Sequence, residues 1–334
     1  MRPIEQVDMD TMETELRNPK LSVIVVTYNH GEWLRECLQS IVTQETTFPF
    51  EVVVGDDCST DAITREILRE FVVSYPNLIV PVLRERNLGM TENWFDVVRR
   101  TRGEYIAHID GDDRMLPGKL QKQVDFLDEH PDCSVVTHDL HVFNGQTGNT
   151  ISAKTDRNIP AIADINYLVL NRTYFGHSSK MFRRNAMLSW YRDKPTVDFF
   201  IHIENASRGN IGYIDQVLGE HRKSSGTASD IATPNYRDII VAYYDAFDRA
   251  LELGVAPEIV KKGRLQHDYS VACNYLNVQD RIKFRKYIAI DDDSYKYAKW
   301  NHRLFCRLRF LPSIVLLIII ANEFHSRHVR YRKS

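Results

Sequence analysis

Three carboxylates close a short apolar run at residues 106–113, Ile-Ala-His-Ile-Asp-Gly-Asp-Asp. Asp110, Asp112 and Asp113 repel one another unless a cation intervenes. Ligands that are all oxygen suit Mg2+ or Mn2+ and not zinc, and such an ion, itself held to a diphosphate, would supply the counter-charge. Apolar residues before the acids predict a buried parallel strand, and Gly111 lets the backbone bend sharply where that strand stops. Carboxylates at the carboxyl end of a strand sit at the rim of an open α/β sheet, where such folds place ligands. The competing reading is an acidic turn that caps a helix near Pro117.

Other polar groups follow apolar runs in the same way. Leu21–Val26 predicts a buried strand that ends in Thr27, Tyr28 and Asn29. Glu51–Val54 predicts a second strand, ending in Gly55, Asp56 and Asp57. A third, Leu78–Leu83, carries Pro81, which suits an edge strand, and leads to Asn87-Leu88-Gly89. Helices are predicted between these strands: Leu34, Cys37, Leu38 and Ile41 share one face, Ile63, Ile67 and Phe71 a second, and Trp94, Val97 and Val98 a third. Asp61 reads as a helix cap. Strand and helix alternate four times in the first third of the chain, which specifies a mostly parallel sheet covered by helices. In such a sheet the polar strand ends lie on one side, the geometry of a nucleotide site.

Composition narrows the class. The chain has 334 residues and a formal net charge of −2, so nothing argues for global nucleic-acid binding. Its five cysteines, Cys37, Cys58, Cys133, Cys273 and Cys306, form neither metal-ligand spacings nor a disulfide framework. A reducing cytoplasm is the expected setting. Residues 1–19 read as a loose polar leader without the apolar core of a signal peptide. No glycine-rich dinucleotide fingerprint follows the first strand, and no P-loop motif occurs.

Val-Ile-Val-Val-Thr-Tyr-Asn-His, Val-Val-Val-Gly-Asp-Asp-Cys-Ser-Thr-Asp, Asn-Leu-Gly-Met-Thr-Glu-Asn and Ile-Asp-Gly-Asp-Asp occur in this order. Together they resemble glycosyltransferase family 2, the inverting enzymes of the GT-A fold, over residues 20–230. The resemblance implies a Rossmann-like, mixed and mostly parallel α/β sheet flanked by helices. Residues 20–115 would form a nucleotide-sugar half and residues 116–230 an acceptor half, with a helical extension over 231–334. It implies that Thr27, Tyr28, Asn29, Asp56, Asp57, Asn87, Asp110 and Gly111 bind the donor nucleotide. Asp112, assisted by Asp113, would hold Mn2+ or Mg2+. Asp198, in Thr-Val-Asp-Phe-Phe, matches the family's acid that deprotonates the acceptor hydroxyl. Among aromatic residues it would lose hydration and gain basicity, as that work requires. Its other reading is a helix N-cap, and Glu204 is a rival base in the same helix.

His177 would contact the donor phosphate or the acceptor, or serve only as a structural histidine. His221, Arg222 and Lys223 would neutralise the leaving diphosphate. Two positions depart from the family pattern: Val197 stands where a paired acid often precedes the base, and the usual histidine falls on Ser224. Residues 224–229 read as a loop that closes over bound donor, or as a linker.

Farther on, residues 134–143 predict a strand with a hairpin turn at 144–149. Ile162, Ile165, Leu168 and Val169 predict a helix. Ile239–Leu253 predicts another, ended by Gly254. Asp291-Asp292-Asp293 reads as a solvated turn. The run 314–321 is too short to span a bilayer and has arginines on both sides. It fits a segment lying in an anionic membrane surface, a helix docked on the domain, or a subunit contact.

The function expected is transfer of a sugar, with inversion, from a nucleotide-diphosphate donor, UDP-linked by preference, to a glycan or lipid-linked acceptor. The setting would be surface-polysaccharide synthesis at the cytoplasmic face of the membrane. The alternative is a non-catalytic protein that keeps the fold as a nucleotide-sugar-binding or membrane scaffold. A nucleotidyltransferase would carry a basic, glycine-rich loop after the first strand, which Thr27–Gly31 is not.

Overall fold

A computed structural model of the chain describes residues 18–153, 158–187, 197–223, 236–315 and 318. The chain divides into two compact units, Met1–Ile165 with Thr173–Ser225, and Asn166–Arg172 with Gly226–Ser334.

The first unit is built on β1 (Leu21–Thr27), all seven residues of which are buried. A strand apolar on both faces must be covered on both, which fits a central position in a parallel sheet. After β1 come α1 (Glu32–Val42), β2 (Phe50–Asp56), α2 (Ala62–Ser74), β3 (Ile79–Leu83), α3 (Met90–Arg99) and β4 (Tyr105–Asp110). β1 pairs in parallel with β2 and β4, and β2 with β3. Pro81 lies on β3 at one end of the strand order, where a missing N–H costs no ladder bond.

The remaining elements of this unit are β5 (Arg114–Met115), α4 (Lys119–Glu129), β6 (Cys133–Asn144), β7 (Thr150–Ser152), β8 (Ile162–Ala163), β9 (Met181–Arg183), α6 (Arg184–Met187), α7 (Asp198–Ala206) and β10 (Asn210–Lys223). Helix α5 (Ile165–Asn171), which falls between β8 and β9 in the chain, groups with the second unit. The strand order is β3-β2-β1-β4-β9-β6-β10-β5, with β7 on β6 and β8 on β10. Antiparallel β9 joins β4 to β6. The sheet is therefore mixed: β3, β2, β1 and β4 run parallel on one side of β9, and β6 pairs in parallel with β10 on the other.

One core cluster joins Val23 and Val25 of β1 to Leu34, Leu38 and Ile41 of α1, and to Val52 and Val54 of β2. Three local expectations change. Ile63 is 48% exposed, and the buried face of α2 is Thr64, Ile67, Leu68 and Phe71. A first-turn residue beside the Asp61 cap, whose carboxylate accepts from Ile63 N and Thr64 N, points to solvent. Ile162 belongs to β8 and not to a helix, because it pairs with Gly212 of β10. β10 runs as one long strand, with irregular register between Ile214 and Gly219. The acidic turn caps no helix, since Gly118 occupies the N-cap of α4.

The second unit is helical: α8 (Tyr236–Glu252), α9 (Pro257–Asn277), α10 (Arg281–Ile288), α11 (Asp292–Tyr295) and α12 (Trp300–Arg307). Its core includes Ile240, Val271, Tyr275, Phe284, Ile288, Phe305 and Val315. Gly254 follows α8 at φ 87°, and its N–H donates to Leu251 O, the left-handed ending that glycine permits. Asp291 caps α11 by accepting from Ser294 N. No described helix is long and apolar enough to cross a membrane. Residues 1–17, 224–235 and 319–334 lie outside the described residues, and with them most of the leader, Ser224, its loop and most of the basic tail.

Candidate active site

Parallel pairing puts Val26 opposite Asp110 and Thr27 opposite Asp56, so the three strand ends deliver their turns side by side. Gly111 N–H donates to Val26 O. A Cβ at Gly111 would stand 2.8 Å from His30 Nδ1 and 2.9 Å from Thr27 Cβ. Close approach to the first turn therefore requires glycine here; the sharp bend expected from the sequence does not rest on a left-handed residue.

The three acids of this turn have different surroundings. Asp113 is fully buried, and both its oxygens are engaged. Ser178 Oγ donates at 2.5 Å, Arg222 N–H at 2.8 Å, and His221 Nδ1 lies 3.1 Å from each oxygen. That contact raises His221 to about 9, against the opposing effect of burial, so the imidazole is a cation at neutral pH. Burial pushes the Asp110 carboxyl up, but His108, His221 and His30 more than reverse this and hold it below the usual range. The Asp112 carboxyl is raised by burial and then by Asp113 and Asp110.

The first two turns are tied together. Asn29 adopts φ 56°, and its Oδ1 accepts from Thr60 N at 2.8 Å and Asp61 N at 3.0 Å. Asp56 accepts from Ser59 N and Ser59 Oγ. Asp57, 3% exposed, accepts from Leu88 N and Gly89 N, both at 2.8 Å, while Asn87 Nδ2 donates to Asp57 O. These polar residues thus build the rim through bonds to one another. Thr27 is buried, with Oγ1 3.1 Å from His30 Nδ1, whereas Tyr28 is 42% exposed with its ring open to a planar ligand.

Asp198 opens α7 in its first turn, and the cap position belongs to Val197, which makes no capping side-chain bond. Its side chain keeps 42% exposure, and Oδ1 lies 3.2 Å from His177 Nδ1. Lost hydration raises the Asp198 carboxyl, and Asp110 adds to this, against the pull of Lys180 and His221. Asp198 and Asp110 line one small cavity of about 20 Å3, with Trp94, His108, His177 and Ile201 among the other walls. Glu204 is 1% exposed and lies deeper in the same helix.

A hydrogen-bonded chain runs behind Asp110. Trp94 Nε1 donates to His108 Nδ1 at 3.1 Å, and His108 Nε2 lies 3.1 Å from Asp110 Oδ1. An indole N–H only donates, so Nδ1 accepts and Nε2 carries the proton that reaches Asp110. Burial keeps His108 neutral. Arg222 is 5% exposed and holds the acidic turn from outside: Nε donates to Asp112 O at 2.9 Å and NH2 to Glu36 at 2.6 Å, with the guanidinium over Trp33 and Phe143. Lys223 is exposed at the end of β10.

The acid turn is chemically suited to a divalent ion. No described hydrogen bond from another residue reaches the Asp112 carboxylate, and its raised carboxyl marks uncompensated negative charge. No group of three or more ligating side chains is assembled among the described residues. A Mg2+-like ion needs only one or two carboxylates when phosphates and water complete its shell.

Sequence reasoning assigned none of His108, Lys180, Ser178, Trp94 and Glu36 to the site. His108 had a signal: it lies two residues before Asp110 on one strand, hence on the same face. Lys180 had a fainter one, a lysine leading into the apolar run Met181-Phe182.

The glycosyl transferase family 2 pattern matches residues 22–189, just over half of the chain. The protein belongs to that family. It is 34% identical over 213 residues to the uncharacterized protein Rv1520 of Mycobacterium tuberculosis, covering 61% of this chain and 58% of the relative. EpsE of Bacillus subtilis, which bears a provisional glycosyltransferase name, is 30% identical over 168 residues, 50% of this chain and 58% of EpsE. The chain thus spans less than two thirds of the length of these relatives. In fold it resembles the crystal structure of Staphylococcus aureus TarS 1–349 in complex with UDP-GlcNAc, with a TM-score of 0.66, 18% identity and 88% of each chain covered. It also resembles the mannosyltransferase PcManGT of Pyrobaculum calidifontis in complex with GDP-Man and Mn2+, with a TM-score of 0.52, 17% identity, and 90% and 86% covered. The fold is GT-A-like, a mixed α/β sheet flanked by helices.

Proposed function

We propose that the protein transfers a sugar, with inversion, from a nucleotide-diphosphate donor to a hydroxyl of a glycan or lipid-linked acceptor in surface-polysaccharide synthesis. The observation that carries this reading is the cavity shared by Asp110 and Asp198, which puts an acid of the donor turn beside an acid of raised basicity. The UDP-GlcNAc complex of TarS supports a UDP-linked donor. The domain assignment we propose is a transferase domain over 20–230 and a helical region over 231–334.

Each residue has a proposed task. Tyr28 stacks on the base. Thr27, Asn29, Asp56, Asp57 and Asn87 shape the rim that receives base and ribose, and Asp110 accepts from the ribose. Gly111, packed on Thr27 and His30, holds the donor turn against the first turn. Asp112 holds Mn2+ or Mg2+, and Asp113 orients the turn and His221 behind it; the ion would offset negative charge on the departing diphosphate. His221, a cation, and Lys223 face the same developing charge. Arg222 keeps the turn in place. Asp198 takes the acceptor's hydroxyl proton, and the oxygen so freed attacks the anomeric carbon opposite the leaving group, which inverts it. His177 backs Asp198.

Calorimetric titration of the protein with UDP, GDP and dTDP, each with and without Mn2+, tests the reading. One nucleotide should bind in a metal-dependent way, and Asp112→Ala should weaken that binding by about 10–100-fold, the usual scale for disturbing a metal site. Binding of none of the three would favour a non-catalytic scaffold. Binding unchanged in Asp112→Ala would remove Asp112 from the metal site.

A further inference from the structure

Lys180 stands out among the groups this mechanism leaves unused. It is completely buried in the segment between Ser179 and β9. Its ammonium nitrogen lies 2.9 Å from Nδ1 and 3.3 Å from Nε2 of His177. Similar distances to both ring nitrogens put it over the face of the imidazole and not along either lone pair. The rings of Trp94 and Phe182 lie 5.4 Å and 5.9 Å from the same nitrogen. Its described side-chain hydrogen bonds are both with His177, and it makes no ion pair among the described residues.

A cation held out of water without an ion pair is unfavourable for folding. An unbranched apolar side chain of similar length would pack against Trp94, Phe182 and His177 without that cost. The same imidazole Nδ1, however, lies 3.2 Å from Asp198 Oδ1. Both contacts share Nδ1, so the ammonium is within about 6 Å of that oxygen, near enough to favour ionisation of the carboxyl, and the two make no ion pair among the described residues. The other titratable groups facing this pair are His108 and Asp110 of β4, His202 of α7 and His221 of β10.

We propose that Lys180 is a positioning residue for Asp198: an ammonium fixed against His177 that keeps the carboxylate ionised in the cleft without pairing with it. A direct salt bridge would engage the oxygen lone pairs that must accept the acceptor's proton. A charge held on His177 acts on the carboxylate through space without itself occupying either oxygen. Burial lowers the affinity of Lys180 for its own proton, and the Asp198 and Asp110 charges oppose this. The ammonium is therefore present on the acid side of neutrality, where Asp198 most needs it. This inference rests on the role proposed for Asp198.

The test compares full-length Lys180→Met with the parent. Hydrolysis and transfer of UDP-GlcNAc are followed against pH, with thermal melting and UDP–Mn2+ binding as controls. The variant should melt no lower than the parent and bind UDP equally. Its acid limb, where activity falls as Asp198 protonates, should move to higher pH by about one unit, as expected on removing an opposite charge at this range. A purely structural lysine would lower the melting temperature and leave the limb in place, and that result would overturn the proposal. Carboxyl 13C NMR, with Asp198 assigned through Asp198→Asn, reads the same shift without turnover. If the parent turns over no UDP-sugar, the assigned activity fails, while an upward-shifted Asp198 titration in Lys180→Met still supports the electrostatic role and an unshifted one refutes it. Should Lys180→Met not fold, Lys180→Gln carries the same comparison.

Discussion

At the residue scale, neighbouring carboxylates separate into different tasks because their surroundings differ. Asp113 and Asp57 have their oxygens engaged by backbone and side-chain donors, which suits them to shaping loops. Among the described residues the Asp112 carboxylate has no such donor and Asp198 meets only His177, and both gain proton affinity from lost hydration. A base must be ionised to work, so transfer should fall as pH drops through the raised value of Asp198, above the usual aspartate range. Asp198→Asn should leave UDP binding intact and reduce transfer by about 10²–10⁴-fold, the usual contribution of a general base. The variant should melt close to the parent, since Asn keeps the shape of a side chain that is 42% exposed. Transfer assays beside melting curves check both points, and full activity would move the base elsewhere, with Glu204 the next candidate.

At the element scale, the site is precise because its turns hang from buried strands and packed helices. α1 fixes the first turn by burying Leu34, Cys37, Leu38 and Ile41 against β1 and its neighbours. Leu38 is fully buried. Leu38→Ala should cost about 2–5 kcal/mol, the transfer loss plus the cavity left in a core that relaxes only partly. Denaturant unfolding measures this directly. A loss below about 0.5 kcal/mol, the level of an ordinary surface substitution, would mean that the helix does not pack as described. The acidic turn has a second support in β10, which brings His221 and Arg222 to Asp113 more than a hundred residues along the chain. Much of this architecture was legible in the sequence. Alternating apolar runs marked the strands, and helical spacing picked out the buried face of α1 residue by residue. The differences fall at element ends: Ile63 at the start of α2 and Ile162 beside a helix. Periodicity has too few residues there to separate strand, turn and helix.

For the whole molecule, the two units have different tasks to explain. The candidate site lies within the first unit, whereas the helical unit carries the basic, apolar C-terminal stretch. We propose that this stretch meets an anionic membrane surface, where a lipid-linked acceptor would be found. Deleting residues 303–334 should abolish co-sedimentation with vesicles containing phosphatidylglycerol while leaving UDP binding unchanged. The deletion also removes Phe305 and Val315 from the helical core, so circular dichroism should accompany it. A folded deletion that still sediments with vesicles would defeat the membrane assignment.

The amino-acid sequence by itself determined the class of fold, the family and the acidic turn, because buried strands and their polar ends are written in local order. Local order also marked Asp198 as a candidate base. The tertiary structure alone decided which acids are engaged and which remain open. It placed His221 and Ser178 on Asp113, Trp94 and His108 behind Asp110, and Lys180 against His177 near Asp198. These partners come from distant segments, and proton affinity depends on hydration and charge in three dimensions, which residue spacing along a chain does not encode.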